Sequence, residues 1–174
     1  MIRVVMDTSS LISLEMIGAL RLVAKNIKIT IPSTVRSELN EIGEHEDKEG
    51  KAALNALAMI AKEIDYAEVK DTERAEKMLS KDINRGEAEC FACCIENGIK
   101  ILVMDDIDAA YGLEGPAIAS GIKIKNSIAA LVQMQRQGVI DSSRLKKFIK
   151  ELIKIREWEG GALEVIANKY LGKI

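Results

Sequence analysis

Short apolar runs alternate along the chain with longer stretches of helical periodicity. The apolar runs predict five strands, at residues 2–6, 27–31, 66–69, 99–104 and 122–125. The third of these is a weak prediction, and the fifth is expected at the edge of the sheet. The helical periodicity predicts nine helices, at residues 9–24, 33–42, 48–64, 72–80, 86–97, 106–119, 126–136, 142–156 and 161–171. The charged segment 43–51 predicts a solvated connection. Strands that alternate with helices predict an α/β fold with a central parallel sheet and helices on both faces.

The composition is that of one globular domain with an aliphatic core. Of the 174 residues, 48% are hydrophobic but only 3% are aromatic, so Ile, Leu, Val, Ala and Met must fill the interior. The net charge of −2 excludes a strongly basic nucleic-acid-binding coat, although it is compatible with a local basic groove. No apolar run approaches the ~18 residues of a membrane span, and the first residues, MIRVVMDTSS, do not resemble a signal peptide. We therefore expect a cytoplasmic protein with no membrane partner.

Three cysteines lie close together on one predicted helix. Cys90, Cys93 and Cys94 include a Cys-x-x-Cys pair, a spacing found in zinc and redox sites. However, the chain has no second such pair, and its one histidine, His45, is distant in sequence. Because the surrounding residues are mostly small or apolar, the sequence favours reduced thiols packed in the core over a metal or redox site.

Acidic residues directly follow two of the predicted strands. Asp7 ends the first strand, and Asp105 and Asp106 end the fourth. Ligands bind at the carboxyl ends of the strands in an open parallel sheet, so these carboxylates would converge if the two strands are neighbours. Each acid could instead cap the helix that follows it. Acids at two strand ends together favour a functional cluster over capping alone.

Glu38 extends this acidic set from the helix that follows the second strand. At the angular spacing of a helix, Glu38 lies about 60° from Val35, on the shoulder of the apolar stripe. A carboxylate in that position needs a partner or a cation. Glu38 is therefore expected either in an ion pair or facing the acids at the strand ends.

Two further glutamates lie near the start of the cysteine-containing helix. Glu87 shares a stripe with Cys90 and Cys94, whereas Glu89 falls on the polar side. This pattern predicts that Glu87 points inward and that Glu89 is solvated. Asn84, three residues before Glu87, also matches a capping box, which would engage Glu87 at the helix start instead.

The predicted catalytic cluster consists of four acids: Asp7, Glu38, Glu87 and Asp106. Four carboxylates cannot all stay ionised close together without a cation, and hard oxygen ligands suit Mg²⁺ or Mn²⁺. No nucleophilic side chain is evident, so the expected chemistry is attack on a phosphodiester by water that the metal activates. Thr8 and Ser9 could hydrogen-bond that water or a phosphate oxygen.

Three segments in order resemble the PIN-domain nucleases, which include the VapC-type toxins of prokaryotic toxin–antitoxin pairs. The segments are a strand followed by DTSSLISL, then IPSTVRSELNEI, then GEAECFACCIENGIKILVMDDIDAAY. The later GIKIKNSIAALVQMQRQGVID is similar to the end of one PIN subgroup. The resemblance implies a three-layer α/β/α fold with a nuclease domain over residues 1–140. Residues 141–174 would form a helical extension packed on the same domain.

The same resemblance implies a metal-dependent ribonuclease site. Its acids fall on the four residues of the predicted cluster, with Asp105 as a further metal ligand and Asp108 and Glu89 in support. The family often has Ser or Thr two positions before the last acid, where this chain has Met104, so that hydroxyl is missing. The resemblance also implies an RNA substrate and an antitoxin partner. A homodimer is expected both from the family and from the apolar surplus of the late helices.

Other classes of protein fit the sequence less well. The main alternative is a non-catalytic PIN-like module that binds RNA or protein and that should not bind Mg²⁺ or Mn²⁺ at the cluster. A receiver domain needs an acid pair after its first strand, and a phosphatase needs Asp-x-Asp, but position 9 is Ser9. A Toprim-like domain could use Asp106 and Asp108 but leaves Glu38 without a role. No Gly-rich nucleotide-binding loop is present.

The predicted helix 142–156 has two distinct sides. Its apolar side carries Leu145, Phe148, Ile149, Leu152 and Ile153, and its basic side carries Lys146, Lys147, Lys150 and Lys154. This pattern favours a surface helix packed on the domain. The alternatives for the basic side are contact with an RNA backbone or with a dimer or antitoxin partner.

Overall fold

The computed structural model describes residues 1–172. Its five strands are β1 (Ile2–Met6), β2 (Ile27–Pro32), β3 (Ile64–Ala67), β4 (Ile101–Val103) and β5 (Lys123–Lys125). The ten helices of these residues are α1 (Thr8–Met16), α2 (Leu20–Asn26), α3 (Ser33–Gly43), α4 (Lys48–Met59), α5 (Thr72–Met78), α6 (Arg85–Glu96), α7 (Ile107–Ala119), α8 (Ser127–Arg136), α9 (Ser142–Ile155) and α10 (Ala162–Leu171).

All five strands run parallel in one sheet, in the order β3-β2-β1-β4-β5, and the helices flank it in a three-layer α/β/α fold, as predicted. The central strand is β1, in which Val4 is paired with Ile29 of β2 and Val5 with Leu102 of β4. The chain builds one half of the sheet from β1 to β3 and then crosses to place β4 on the other side of β1. The carboxyl ends of β1 and β4 are thus neighbours at the point where the winding reverses, which is where open parallel sheets bind ligands.

The boundaries of several elements differ from the prediction. The predicted helix 9–24 is two helices, because Gly18 has a φ of +67° and its N–H donates to the carbonyl of Glu15 (2.8 Å). Glycine adopts this left-handed conformation without strain and so ends α1. The predicted helix 48–64 ends at Met59, and β3 begins at Ile64, two residues before the predicted third strand.

Helix α6 lies at the centre of the core. Every residue from Gly86 to Cys94 is buried, because α6 packs on β1, β2 and β4 and also touches α3, α5 and α7. Cys90, Cys93 and Cys94 are free thiols within this core, as the sequence favoured. Burial raises the pKa of Cys93 to about 11 and that of Cys90 well above its usual value, so these thiols stay protonated at neutral pH.

The last helices pack on the rest of the protein. The apolar side of α9 is buried in the common core through Leu145, Phe148, Ile149 and Leu152, while most of its lysines are exposed. Helix α9 touches α1, α8 and α10. The prediction of a packed surface helix is therefore correct. Within residues 1–172, no helix is long and apolar enough to cross a membrane.

Candidate active site

The four predicted acids, each from a different helix, are among six acidic residues that line one cleft of about 390 Å³ at the carboxyl edge of β1 and β4. Asp7 caps the start of α1, and Asp106 caps the start of α7. Glu38 lies on α3, and Glu87 lies in the first turn of α6. The structure therefore brings together the four acids of the predicted cluster, whose chemical roles stay a prediction.

Asp7 is oriented by the residues that follow it. Its Oδ1 accepts a hydrogen bond from the backbone N–H of Ser10 (2.8 Å), and its Oδ2 accepts one from the hydroxyl of Ser9 (2.6 Å). Burial raises the pKa of Asp7 to about 7, with the nearby Asp105 adding to the rise and the two serines opposing it. Asp7 is thus both a helix cap and a cleft carboxylate, so the two interpretations of this residue are compatible.

Glu38 reaches the cleft because Gly86 leaves room for its carboxylate. The hydroxyl of Thr8 donates a hydrogen bond to Oε2 of Glu38. A Cβ atom at position 86 would lie 2.2 Å from Oε1 of Glu38, which is far inside van der Waals contact. Burial raises the pKa of Glu38, and the hydrogen bond from Thr8 opposes that rise. A glycine on α6 therefore determines where an acid on α3 can lie.

Glu87 combines the two roles that the sequence left open. Asn84 and Glu87 form a capping box, in which the N–H of Glu87 donates to Oδ1 of Asn84 (3.0 Å) and the N–H of Asn84 donates to Oε2 of Glu87 (2.7 Å). The same side chain lines the cleft. Burial raises the pKa of Glu87, and Asp106 and Glu38 add to the rise. The cap therefore fixes the orientation of a carboxylate that also faces its acidic neighbours.

Glu89 is buried, so the prediction that it is solvated is wrong. Only 4% of it is exposed, its Oε1 pairs with Nε of Arg85 (2.9 Å), and its Oε2 accepts a hydrogen bond from the hydroxyl of Thr34 (3.0 Å). It does not line the cleft. The helical wheel assumed one buried face, whereas α6 is covered on all sides from Gly86 to Cys94.

Asp106 and Asp108 lie in one helical turn, but only Asp106 lines the acidic cleft. Asp106 lines the cleft, and its Oδ1 accepts a hydrogen bond from the N–H of Ala109 (2.9 Å). Asp108 does not line this cleft but a neighbouring hollow beside Trp158, which Asp106 also borders. Thr8 and Ser9 line the acidic cleft and Asp108 lies outside it, while the supporting roles of these residues stay predictions.

Asp105 also lies outside the cleft, although the resemblance placed it among the metal ligands. Its Oδ1 accepts a hydrogen bond from the backbone N–H of Ser127 at the start of α8 (2.8 Å), and its own N–H donates to the hydroxyl of Ser9 (3.2 Å). Burial raises its pKa, and the bond from Ser127 opposes the rise. Because Ser9 also bonds Asp7, the structure connects Asp105 to the cleft through Ser9 and not as a lining residue.

A family model described as a PIN domain matches residues 3–162. The chain belongs to the PIN-domain family. A comparison with curated proteins finds no match. PIN domains are generally nucleases and typically use divalent metal ions. The match includes α9, which the predicted division at residue 140 assigned to an extension; that division stays a prediction.

The cleft of this PIN domain offers the oxygen donors that a hard divalent cation prefers. Its carboxylates and the hydroxyls of Thr8 and Ser9 are oxygen donors, and its lining contains neither His nor Cys. No three His, Cys, Asp or Glu side chains within residues 1–172 form a ready-made group that could hold an ion. Mg²⁺, however, usually keeps several waters and binds through one or two carboxylates. The donor set therefore fits a partly hydrated ion. Burial is the main cause of the raised pKa values of Asp7, Glu38 and Glu87.

Sequence reasoning missed the residues that reach the PIN-domain cleft from distant parts of the chain. Arg156, which ends α9, and the exposed Glu49 of α4 both line the cleft and form an ion pair with each other. No local pattern marks either residue, because the packing of α4 and α9 on α1 brings them there. Gly86 carried only a general signal, since glycine is used where another group must approach the backbone closely.

Proposed function

We propose that this PIN domain is a metal-dependent endoribonuclease that hydrolyses RNA phosphodiester bonds. Mg²⁺ or Mn²⁺ would be held by four residues: Asp7, Glu38, Glu87 and Asp106. The observation that carries the proposal is that carboxylates separated by up to a hundred positions in sequence line one cleft at the reversal point of the sheet. Capping alone does not account for this convergence, because Glu38 caps no helix.

The residues around each acid support a preorganised site. Ser9 and Ser10 orient Asp7, Thr8 orients Glu38, and Asn84 orients Glu87. Such bonds fix carboxylate positions before a ligand arrives, which is how surrounding groups raise the efficiency of a site. A bound divalent ion supplies neutralisation of the phosphate charge and lowers the pKa of a coordinated water. The protein's acids would hold that ion in place at the cleft.

The RNA substrate and the antitoxin rest on the family, the homodimer rests on the family and on the apolar late helices, and the location rests on the reduced cysteines. We propose RNA over DNA as the substrate, a homodimer as the working form, the cytoplasm as the location, and an antitoxin as a partner if the protein acts as a toxin. The alternative function is a non-catalytic module that binds RNA or protein. For such a module, we expect that Mg²⁺ and Mn²⁺ do not bind at the acidic cluster.

An RNA cleavage assay with Asp7→Asn tests the proposal. The wild-type protein should cut RNA with Mn²⁺ or Mg²⁺ and lose this activity in EDTA. Asp7→Asn is isosteric, keeps an oxygen for the Ser10 N–H, and should abolish cleavage while the protein stays folded by circular dichroism. Asp108→Asn is the matched control, since Asp108 lies in the same acidic region but outside the cleft, and it should cut like wild type.

Two results would contradict the proposal. Undiminished cleavage by a well-folded Asp7→Asn protein would remove the active site from this cleft. A wild-type protein that neither cuts RNA nor binds Mn²⁺ in calorimetry would favour the non-catalytic module.

A further inference from the structure

Arg156 is the one cationic side chain of residues 1–172 that lines the acidic cleft. The cleft's acidic lining residues are Asp7, Glu38, Glu41, Glu49, Glu87 and Asp106. With these six carboxylates ionised and one guanidinium, the formal charge of the lining is −5, and a divalent ion would reduce it only to −3. An RNA backbone is also a polyanion. A substrate phosphate in this cleft therefore needs a cation that the metal ion alone does not supply.

The guanidinium of Arg156 is incompletely used by its neighbours. Its Nη1 forms the ion pair with a carboxylate oxygen of Glu49 and lies 3.8 Å from the sulfur of Met16. Its Nε is buried and has no hydrogen-bond partner. A guanidinium carries five N–H donors, so Arg156, as a residue that lines the cleft, has hydrogen-bonding capacity that Glu49 does not use.

The partner of Arg156 can be exchanged at little cost. About half of the Glu49 side chain is exposed, whereas the Arg156 side chain is 19% exposed. An ion pair with an exposed carboxylate contributes little to stability, because water solvates that carboxylate almost as well. Arginine also matches the geometry of a phosphate, to which it can donate two parallel hydrogen bonds. Glu49 is thus a replaceable partner for a guanidinium that is already held at the cleft.

We propose that Arg156 binds a backbone phosphate of the RNA, exchanging Glu49 for the phosphate oxygens when the substrate enters. This inference rests on the proposed function and adds to it a phosphate-binding residue supplied by α9. It also gives the last turn of α9 a direct part in substrate binding, although the four acids lie on other elements.

The test measures RNA binding and its salt dependence in the full-length protein. All variants carry Asp7→Asn, so that cleavage does not intervene, and Mg²⁺ is present throughout. The probe is a short fluorescein-labelled single-stranded RNA of mixed sequence, followed by fluorescence anisotropy between about 50 and 200 mM salt. Arg156→Met removes the charge, Arg156→Lys keeps it without the bidentate geometry, and Arg144→Met is the matched control on an exposed part of the same helix.

The inference predicts a specific pattern. Arg156→Met should weaken binding about tenfold, as expected for loss of one charge-assisted hydrogen bond. It should also reduce the slope of log affinity against log salt by about 0.7, the value for one phosphate contact on a single strand. Arg156→Lys should keep the slope and lose part of the affinity. Arg144→Met should change neither quantity.

Glu49→Gln separates phosphate binding from a structural ion pair. If Arg156 binds phosphate, removing the competing carboxylate should leave the affinity unchanged or raise it, and this result stands even if Arg156→Met is unstable. If the pair only holds α9 against α4, Glu49→Gln should weaken binding as Arg156→Met does, which would overturn the inference. An unchanged salt slope in a folded Arg156→Met protein would also overturn it, while wild-type cleavage would leave the proposed function intact. An Asp7→Asn protein that binds no RNA would overturn the inference, whereas the proposed function is decided separately by cleavage with the wild-type protein.

Discussion

Gly86→Ala changes the cleft without replacing any of its acids. The new methyl group would lie 2.2 Å from Oε1 and 2.9 Å from Cδ of Glu38. The obstacle is the end of a flexible side chain, so Glu38 can rotate away while the backbone of α6 stays in place. That rotation, however, breaks the hydrogen bond from Thr8 and moves the Glu38 carboxylate away from its present position in the cleft.

The expected effects on stability and on metal binding differ in size. Alanine stabilises a helix relative to glycine by about 0.5–1 kcal/mol. Loss of a hydrogen bond to a charged group costs about 1.5–3 kcal/mol, and the half-buried state of Glu38 favours the lower end. The free energy of unfolding should therefore fall by only about 1 kcal/mol. Displacement of the Glu38 carboxylate should lower the affinity for Mn²⁺ by about 10- to 100-fold, with a similar loss of cleavage.

Urea unfolding and Mn²⁺ calorimetry measure the two quantities separately. The double variant Gly86→Ala/Glu38→Gln should bind Mn²⁺ no more weakly than Glu38→Gln alone, because both changes act on one carboxylate. Gly115→Ala, an exposed glycine with nothing within 4 Å of a new Cβ, is the control and should leave metal binding unchanged. Wild-type Mn²⁺ affinity in a folded Gly86→Ala protein would refute the assignment of Glu38 as a ligand.

Three other predictions concern charge, pH and assembly. Glu87→Gln keeps the capping box, which accepts Gln as well as Glu, and should weaken Mn²⁺ binding about tenfold. Glu89→Gln should change Mn²⁺ binding little. If calorimetry gives the reverse result, Glu89 and not Glu87 is the metal ligand. In EDTA, the unfolding free energy should fall as pH rises from 3.8 to about 7, because folded Asp7 keeps a proton that the unfolded chain releases, and Asp7→Asn should flatten this dependence in urea titrations. Parallel pH profiles for the two proteins would contradict the raised pKa. Light scattering should report a dimer, and a monomer at all concentrations would defeat that expectation.

The positions of the acids at the strand ends were predictable because local sequence signals mark where β1 and β4 end. An apolar run that stops at Asp7, and another that stops before Asp106, mark the ends of β1 and β4, and parallel strands place those ends at one edge. The pairing of β1 with β4 was a condition of that prediction, and the sheet order satisfies it. Adjacent residues at one strand end were harder to separate, since Asp105 and Asp106 have the same sequence signal but only Asp106 lines the cleft.

The errors arose where tertiary packing decides the environment. Glu89 looked solvated because a helical wheel describes one helix alone, whereas α6 is enclosed by the sheet and three helices. Arg156 had no signal, because its place at the cleft depends on how α9 packs on α1. The split between α1 and α2 was missed at Gly18, although a glycine followed by a new apolar stretch is a known sign of a helix end.

The strand order has a consequence for synthesis on the ribosome. The first strand made, β1, is the central one, and its neighbour β4 follows about 100 residues later, a delay of about 5–20 s at usual rates of translation. During that time one edge of an apolar strand lacks its partner, and such an edge invites pairing with other chains. Asp106 emerges after β4, and Arg156 later still. If the protein is a ribonuclease, the nascent chain therefore cannot assemble its cleft, or cut the messenger that encodes it, until most of its sequence has been translated.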